Sequence, residues 1–142
     1  MARSGDTSLL YLLKRVELAA KKRLDDVLEP YDVTAVQYAA LTSLERHPGL
    51  TAAALARHSF VTAQTTAQLV RGLEHRGLIV REPDPTSRRQ VLLALSPSGR
   101  ELLDELRGQV RAIERLMTAG FDADELGRVR AALESFRTAV EP

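Results

Sequence analysis

Apolar side chains recur every three or four positions through Leu9, Leu10, Leu13, Val16, Ala20, Leu24, Val27 and Leu28. That period marks one face of a helix over residues 8–28, with Asp6 or Thr7 as its cap and Pro30 as its stop. Leu12 and Ala19 widen the stripe, so this helix meets more than one neighbour. Thr34 caps a second helix over 35–46, with Val36, Ala40, Leu41 and Leu44 apolar, and His47-Pro48-Gly49 breaks it. Thr51 caps a short helix over 52–58 with Leu55 facing in. A turn through Ser59, Phe60 and Val61 leads to Thr62, the cap of a helix over 63–76 that Gly77 ends in a left-handed conformation.

The period then changes. Residues 78–82 and 90–95 are short and rich in branched side chains, with Leu78 and Val80 alternating on one strand and Val91, Leu93 and Leu95 on the other. Pro83 to Arg89 reads as the hairpin loop between them. Ser96 caps a helix with Pro97 in its first position, running to Thr118. Gly120 breaks it, and Asp122 with Glu125 opens a last helix to Val140, striped by Leu126, Val129, Leu133, Phe136 and Val140. The fold class is mainly α with a two-stranded β-wing.

Composition sets limits on this plan. A chain of 142 residues, 44% apolar, makes one domain with helical extensions. Without cysteine it forms no disulfide, thiolate metal site or thiol sensor. Three Phe, three Tyr and no Trp argue against a stacking platform for single strands. No apolar run reaches the roughly 18 residues of a membrane span. Residues 1–7 are short and polar, and Lys14 and Arg15 cut off the apolar run Leu9–Leu13, so no signal peptide is read and a cytoplasmic protein is expected.

A net charge of +1 hides an asymmetry. Residues 51–100 hold seven arginines against three acids, a net of +4 that leaves −3 for the rest. Arginine is the cation best suited to phosphates and base edges, although a solvated surface also accounts for it.

Two short helices joined by a tight turn, then a hairpin with arginines at its tip, form the plan of a winged helix-turn-helix. On the helix 63–76, Thr66, Leu69, Val70 and Leu73 share the inward face. The outward face carries Ala63, Gln64, Ala67, Gln68 and Arg71. Small side chains admit a helix deep into a groove, where Gln pairs with adenine and Arg with guanine. Thr62 and Thr65 stand near the free amides of the helix start, where they can donate to phosphate. The bland alternative is a solvated helix, but such faces usually carry more Glu and Lys. Arg88 and Arg89, at the turn between the strands, are placed to reach a narrow minor groove.

These residues resemble the signature region of the MarR family of bacterial transcriptional regulators. The resemblance is carried by Leu55-Ala56, the run Leu69-Val70-x-x-Leu73-Glu74-x-x-Gly77-Leu78, Arg81, Asp84-Pro85, Arg88-Arg89 and the close from Leu95 to Gly99. It implies a homodimer in which residues 1–33 and 97–142 supply N- and C-terminal dimerisation helices and 34–96 form the DNA-binding winged domain. The apolar stripes agree, since Met117, Phe121, Leu126, Leu133 and Phe136 suit a shared core better than water. A two-fold dimer implies a pseudo-palindromic operator on double-stranded DNA, with half-site centres roughly 10 base pairs apart. The family often has an acid just before the wing's basic pair; here Ser87 stands there. The minor-groove arginine is then Arg89, with Arg88 a phosphate contact or a substitute. Gln68 also stands where many members carry arginine.

The resemblance further implies a ligand-responsive repressor, released by a small aromatic or phenolic effector. By position its pocket includes Tyr11, Arg15 and Tyr38, a set suited to an aromatic carboxylate. The plainer reading makes both tyrosines core residues and Arg15 a surface residue. No metal site or cofactor is read, because His47, His58 and His75 are scattered along the chain. No nucleophile elbow, phosphate loop or zinc helix points to an enzyme. Asp25-Asp26 and Asp104-Glu105 are neighbours on helices, whose side chains diverge. The remaining alternative is a winged-helix protein-interaction module that does not bind DNA, which would leave Arg71, Arg88 and Arg89 without a use.

Overall fold

The computed structural model describes residue 5 and residues 7–59 and 62–142, so Asp6, Phe60 and Val61 lie outside the described residues. The chain divides into two compact units, Met1–Val110 and Arg111–Pro142.

In the first unit, helix α1 spans Leu9–Leu28. Its cap is Ser8, whose hydroxyl accepts from the Tyr11 amide, rather than the expected Asp6 or Thr7. One 3₁₀ turn, Glu29–Tyr31, accommodates Pro30, and Asp32 then reverses the chain at φ 54°. Helix α2, Ala35–Arg46, opens on a reciprocal box in which Thr34 and Gln37 cap each other's amides. Helix α3, Ala52–Ser59, starts at Thr51, whose hydroxyl accepts from the Ala54 amide. Helix α4, Ala63–His75, is capped by Thr62 and closed by Gly77 at φ 70°, a conformation glycine adopts without steric cost.

The wing is longer than the sequence pattern predicts. Strand β1 is Ile79–Asp84 and β2 is Ser87–Leu95, paired antiparallel. Leu78 precedes the strand, and both Leu78 and Ile79 are buried while Val80 faces out, so Leu78 and Val80 do not share a face as expected. Leu50 adds an isolated bridge to Leu93, tying the α2–α3 connection to the wing.

One core unites these elements. Leu41 and Leu44 of α2, Leu55 of α3, Leu69, Val70 and Leu73 of α4, and Ile79, Leu93 and Leu95 of the wing pack together with Leu103. Leu103 comes from helix α5, Pro97–Thr118. A smaller cluster joins Leu28 and Val33 to Leu106. Burial of this apolar area is what offsets the chain entropy of ordering short helices that would not be stable alone. At the start of α5, the Ser96 hydroxyl accepts from the Gly99 amide and donates to the Gly77 carbonyl. Gly99 is needed there, because a Cβ would run into the Leu78 carbonyl oxygen.

The second unit holds the end of α5 and helix α6, Ala123–Val140, which starts with the expected Asp122–Glu125 box. None of the residues of α6 is buried. Met117, Phe121, Val129, Leu133 and Phe136 stay exposed, as do Leu9, Leu10, Tyr11, Leu12, Leu13 and Val16 of α1 in the first unit. The apolar faces read from the sequence are therefore present without a cover. Among the described residues, no helix is long and apolar enough to cross a membrane.

Two glycines of α5 give opposite expectations. Gly99→Ala should lower stability by about 1–3 kcal/mol, through the clash with the Leu78 backbone. Gly108→Ala meets nothing within 4 Å and should raise stability by about 0.5–1 kcal/mol. Thermal melts of the two variants check this, and equal shifts would contradict the close crossing.

Candidate nucleic-acid interface

Helix α4 is fixed by its inward side. Thr66, Leu69, Val70 and Leu73 are buried. The Thr66 hydroxyl adds a hydrogen bond to the Thr62 carbonyl at 2.9 Å. This packing turns Thr62, Ala63, Gln64, Thr65, Ala67, Gln68 and Arg71 out to the surface, all of them exposed. The Thr62 hydroxyl caps the Thr65 amide at 3.2 Å and donates to Thr65 Oγ1 at 3.0 Å. Thr65 thus keeps its own hydroxyl proton for an outside acceptor, while Thr62 uses its proton within the helix start.

The wing presents its arginines differently from a simple loop. Residues Asp84 and Ser87 pair across a two-residue turn, Pro85-Thr86. Register then slips between Pro83, which faces Val91, and Asp84, which faces Ser87. Arg88, Arg89 and Gln90 are left in β2 with no facing residue on β1. The expected loop over 83–89 is therefore corrected: the turn is shorter, and the two arginines belong to a bulge beside it. A bulge bends and twists its strand, so their side chains are held by strand backbone and not by a loose tip. The Ser87 hydroxyl accepts from the Arg89 amide at 3.4 Å.

Local electrostatics separate structural arginines from available ones. Arg81 Nε pairs with Glu74 Oε1 at 2.7 Å, bracing β1 against α4. Arg76 donates to the carbonyls of Tyr31 and Asp32. Asp84 Oδ1 accepts from the amide and hydroxyl of Thr86, at 2.8 and 2.7 Å. Two of the three acids in the basic stretch are thus absorbed by the scaffold. Among the described residues, the side chains of Arg57, Arg71, Arg88, Arg89 and Arg100 make no hydrogen bond or ion pair. The structural work of Arg76 and of the Glu74–Arg81 brace escapes sequence reading, because no local spacing marks it.

Two of the other sequence candidates meet on α1. The Arg15 guanidinium lies over the Tyr11 ring at 5.9 Å, and Tyr11 is 55% exposed, not a core residue. Tyr38 is half-buried against both apolar clusters, and burial raises its phenol above the ordinary range. An open concavity of about 480 Å³ at the α1–α2 junction, lined by residues including Lys21, Asp25, Glu29 and Asp32, contains none of these three. His47 and His58 are not scattered in space. Their ring centroids lie 4.7 Å apart, with the planes tilted by 33°, because α2 and α3 pack together. Two imidazoles alone do not complete a metal site, and no group of three ligating side chains occurs among the described residues.

Comparisons with known proteins match this geometry. A family model described as MarR family matches residues 31–90. The HTH-type transcriptional repressor Rv2887 of Mycobacterium tuberculosis is 31% identical over 134 residues, covering 94% of this chain and 96% of that protein. The crystal structure of S. aureus MepR in DNA-binding conformation superimposes with a TM-score of 0.88 at 26% identity, covering 95% of this chain and all of that one. The S. aureus MepR–DNA complex gives a TM-score of 0.84, with the same identity and coverage.

The wing turn makes a pH-dependent prediction. The Thr86 hydroxyl, then its amide, hold the Asp84 carboxyl below the usual carboxylate range. A depressed carboxylate stabilises the fold above its unfolded pKa, and that contribution is lost as pH falls through the folded value. The turn is therefore indifferent to pH near neutrality and loosens only in acid. Thr86→Val should move the Asp84 pKa up toward the ordinary value in a carboxyl NMR titration; an unmoved value would contradict the assigned cause.

Proposed function

The chain belongs to the MarR family of DNA-binding transcriptional regulators, and on that premise we propose that it is a homodimeric, effector-released repressor. The observation that carries this reading is the outward face of α4. It is slim and exposed, and it is locked in place by the packing of the opposite face. In this reading Ala63 and Ala67 let the helix sink into the major groove. Gln64, Gln68 and Arg71 meet base edges or phosphates, and Thr62 and Thr65 lie at the backbone near the helix start. Arg89, with Arg88 beside it, reaches the neighbouring minor groove or its phosphates. The S. aureus MepR relative is seen in complex with DNA, and Rv2887 is named a transcriptional repressor. Both speak against the protein-interaction alternative.

The homodimer reading is supported by the two uncovered apolar faces, on α1 and on the end of α5 with α6. Isolated exposed leucines need no explanation, but contiguous stripes on long helices do. A second copy covers them, and residues 1–33 and 97–142 then serve as dimerisation regions around the winged domain 34–96. Its operator is a pseudo-palindrome with half-sites roughly one helical turn apart, about 10 base pairs. Its setting is the cytoplasm. The effector is a small aromatic or phenolic acid, for which the Arg15–Tyr11 contact offers a cation beside an aromatic face.

Arg89→Ala should weaken binding to the DNA upstream of the protein's own gene by about 1–3 kcal/mol, with affinity falling as salt rises. An unchanged dissociation constant, or binding indifferent to salt, would contradict the assignment of the wing. Sedimentation should give a dimer, and Leu133→Glu on α6 should shift it toward monomer; a wild-type monomer at micromolar concentration would remove the two-fold reading.

A further inference from the structure

We propose that Arg76 is a positioning residue for DNA reading, which fixes the direction of α4 by gripping the backbone between α1 and α2. The proposal rests on the reading of α4 as the DNA-facing helix and assigns a residue outside its contact face. Arg76 is the C-cap of α4. Its Nη2 donates to the Tyr31 carbonyl at 3.0 Å, and its Nη1 donates to the Asp32 carbonyl. These acceptors lie 45 and 44 residues away in sequence.

The acceptors sit on a held platform. The Asp32 amide bonds to the Glu29 carbonyl at 3.0 Å, and the Val33 amide to the Leu28 carbonyl at 3.4 Å. Leu28 and Val33 are buried with Leu106. The Tyr31 hydroxyl accepts from Gln109 Nε2 of α5 at 3.1 Å. The turn is thus pinned from α1 and from α5, and Arg76 pins α4 to it.

The apolar face of α4 and this fork do different work. Apolar packing stops the helix rolling, but it is non-directional and tolerates small tilts and slides. A guanidinium with two donors aimed at two fixed carbonyls constrains the direction of the helix end. A small tilt there is magnified at the opposite end, where Gln64 and Thr65 lie. One proton on each Nη is committed to the protein backbone, which turns the guanidinium toward the α1–α2 turn. A lysine, with one point charge, does not reproduce the fork.

The test uses full-length Arg76→Ala and Arg76→Lys variants. Each is titrated with the duplex that the wild-type protein enriches from a random pool, and with an unrelated duplex of equal length, across a salt series. For Arg76→Ala, the selected duplex is expected to bind about tenfold more weakly, the size of a lost charge-assisted hydrogen-bond pair. The unrelated duplex should bind unchanged, with the same salt slope. Arg76→Lys should show the same loss of discrimination, and it carries the test if the alanine variant fails to fold. Unchanged affinity for the selected duplex overturns the proposal. So does an equal loss on both duplexes with the salt slope reduced by about one, which marks a phosphate contact. A wild-type protein that enriches no duplex overturns the DNA-reading assignment of α4, and this proposal with it.

Discussion

Rotation of a helix about its own axis decides which side chains it offers, and a step of one residue turns it by about 100°. In α4 that rotation is set by Thr66, Leu69, Val70 and Leu73, which are buried against α2, α3 and the wing. Those contacts are dense enough that a roll would expose leucine and bury glutamine without partners, at a cost of several kcal/mol. The slim outward face therefore follows from the inward one. In the proposed reading, insertion of α4 into a groove depends first on that packing constraint.

The surrounding electrostatics protect this arrangement. Glu74 holds Arg81, and Asp84 holds the turn through Thr86, so two of the three acids of the basic stretch serve the scaffold. Of the arginines left over, Arg71 projects from α4, and Arg88 and Arg89 project from the strand bulge. Binding would then be driven by phosphate neutralisation, with base edges supplying selectivity.

What the sequence makes legible is local. The Thr34 and Thr62 caps, the Asp122–Glu125 box and the Gly77 terminator are set by residues within a turn of each other, and each appears where its spacing places it. The inward face of α4 follows from a period of 3.6. What depends on distant partners is not legible. The wing register hinges on a turn that Asp84 and Thr86 tighten, which leaves Arg88 and Arg89 in a bulge and not in a loop. The reach of Arg76 across 44 residues, and the meeting of His47 with His58, arise only from tertiary packing. The residues expected to line an effector pocket fare in between: Tyr11 and Arg15 touch, one turn apart on α1, while Tyr38 belongs to the seam between two apolar clusters.

Ala67 offers the most direct test of the α4 face, since its methyl is exposed and supports no core contact. The measurement is the affinity of Ala67→Glu for the selected duplex, taken beside its thermal melt. A carboxylate at that position would meet the groove's negative potential and its walls together. The expected result is an unaltered melt with binding lost at every salt concentration; a variant that melts like wild type and still binds the duplex equally well would contradict the DNA-facing role of α4.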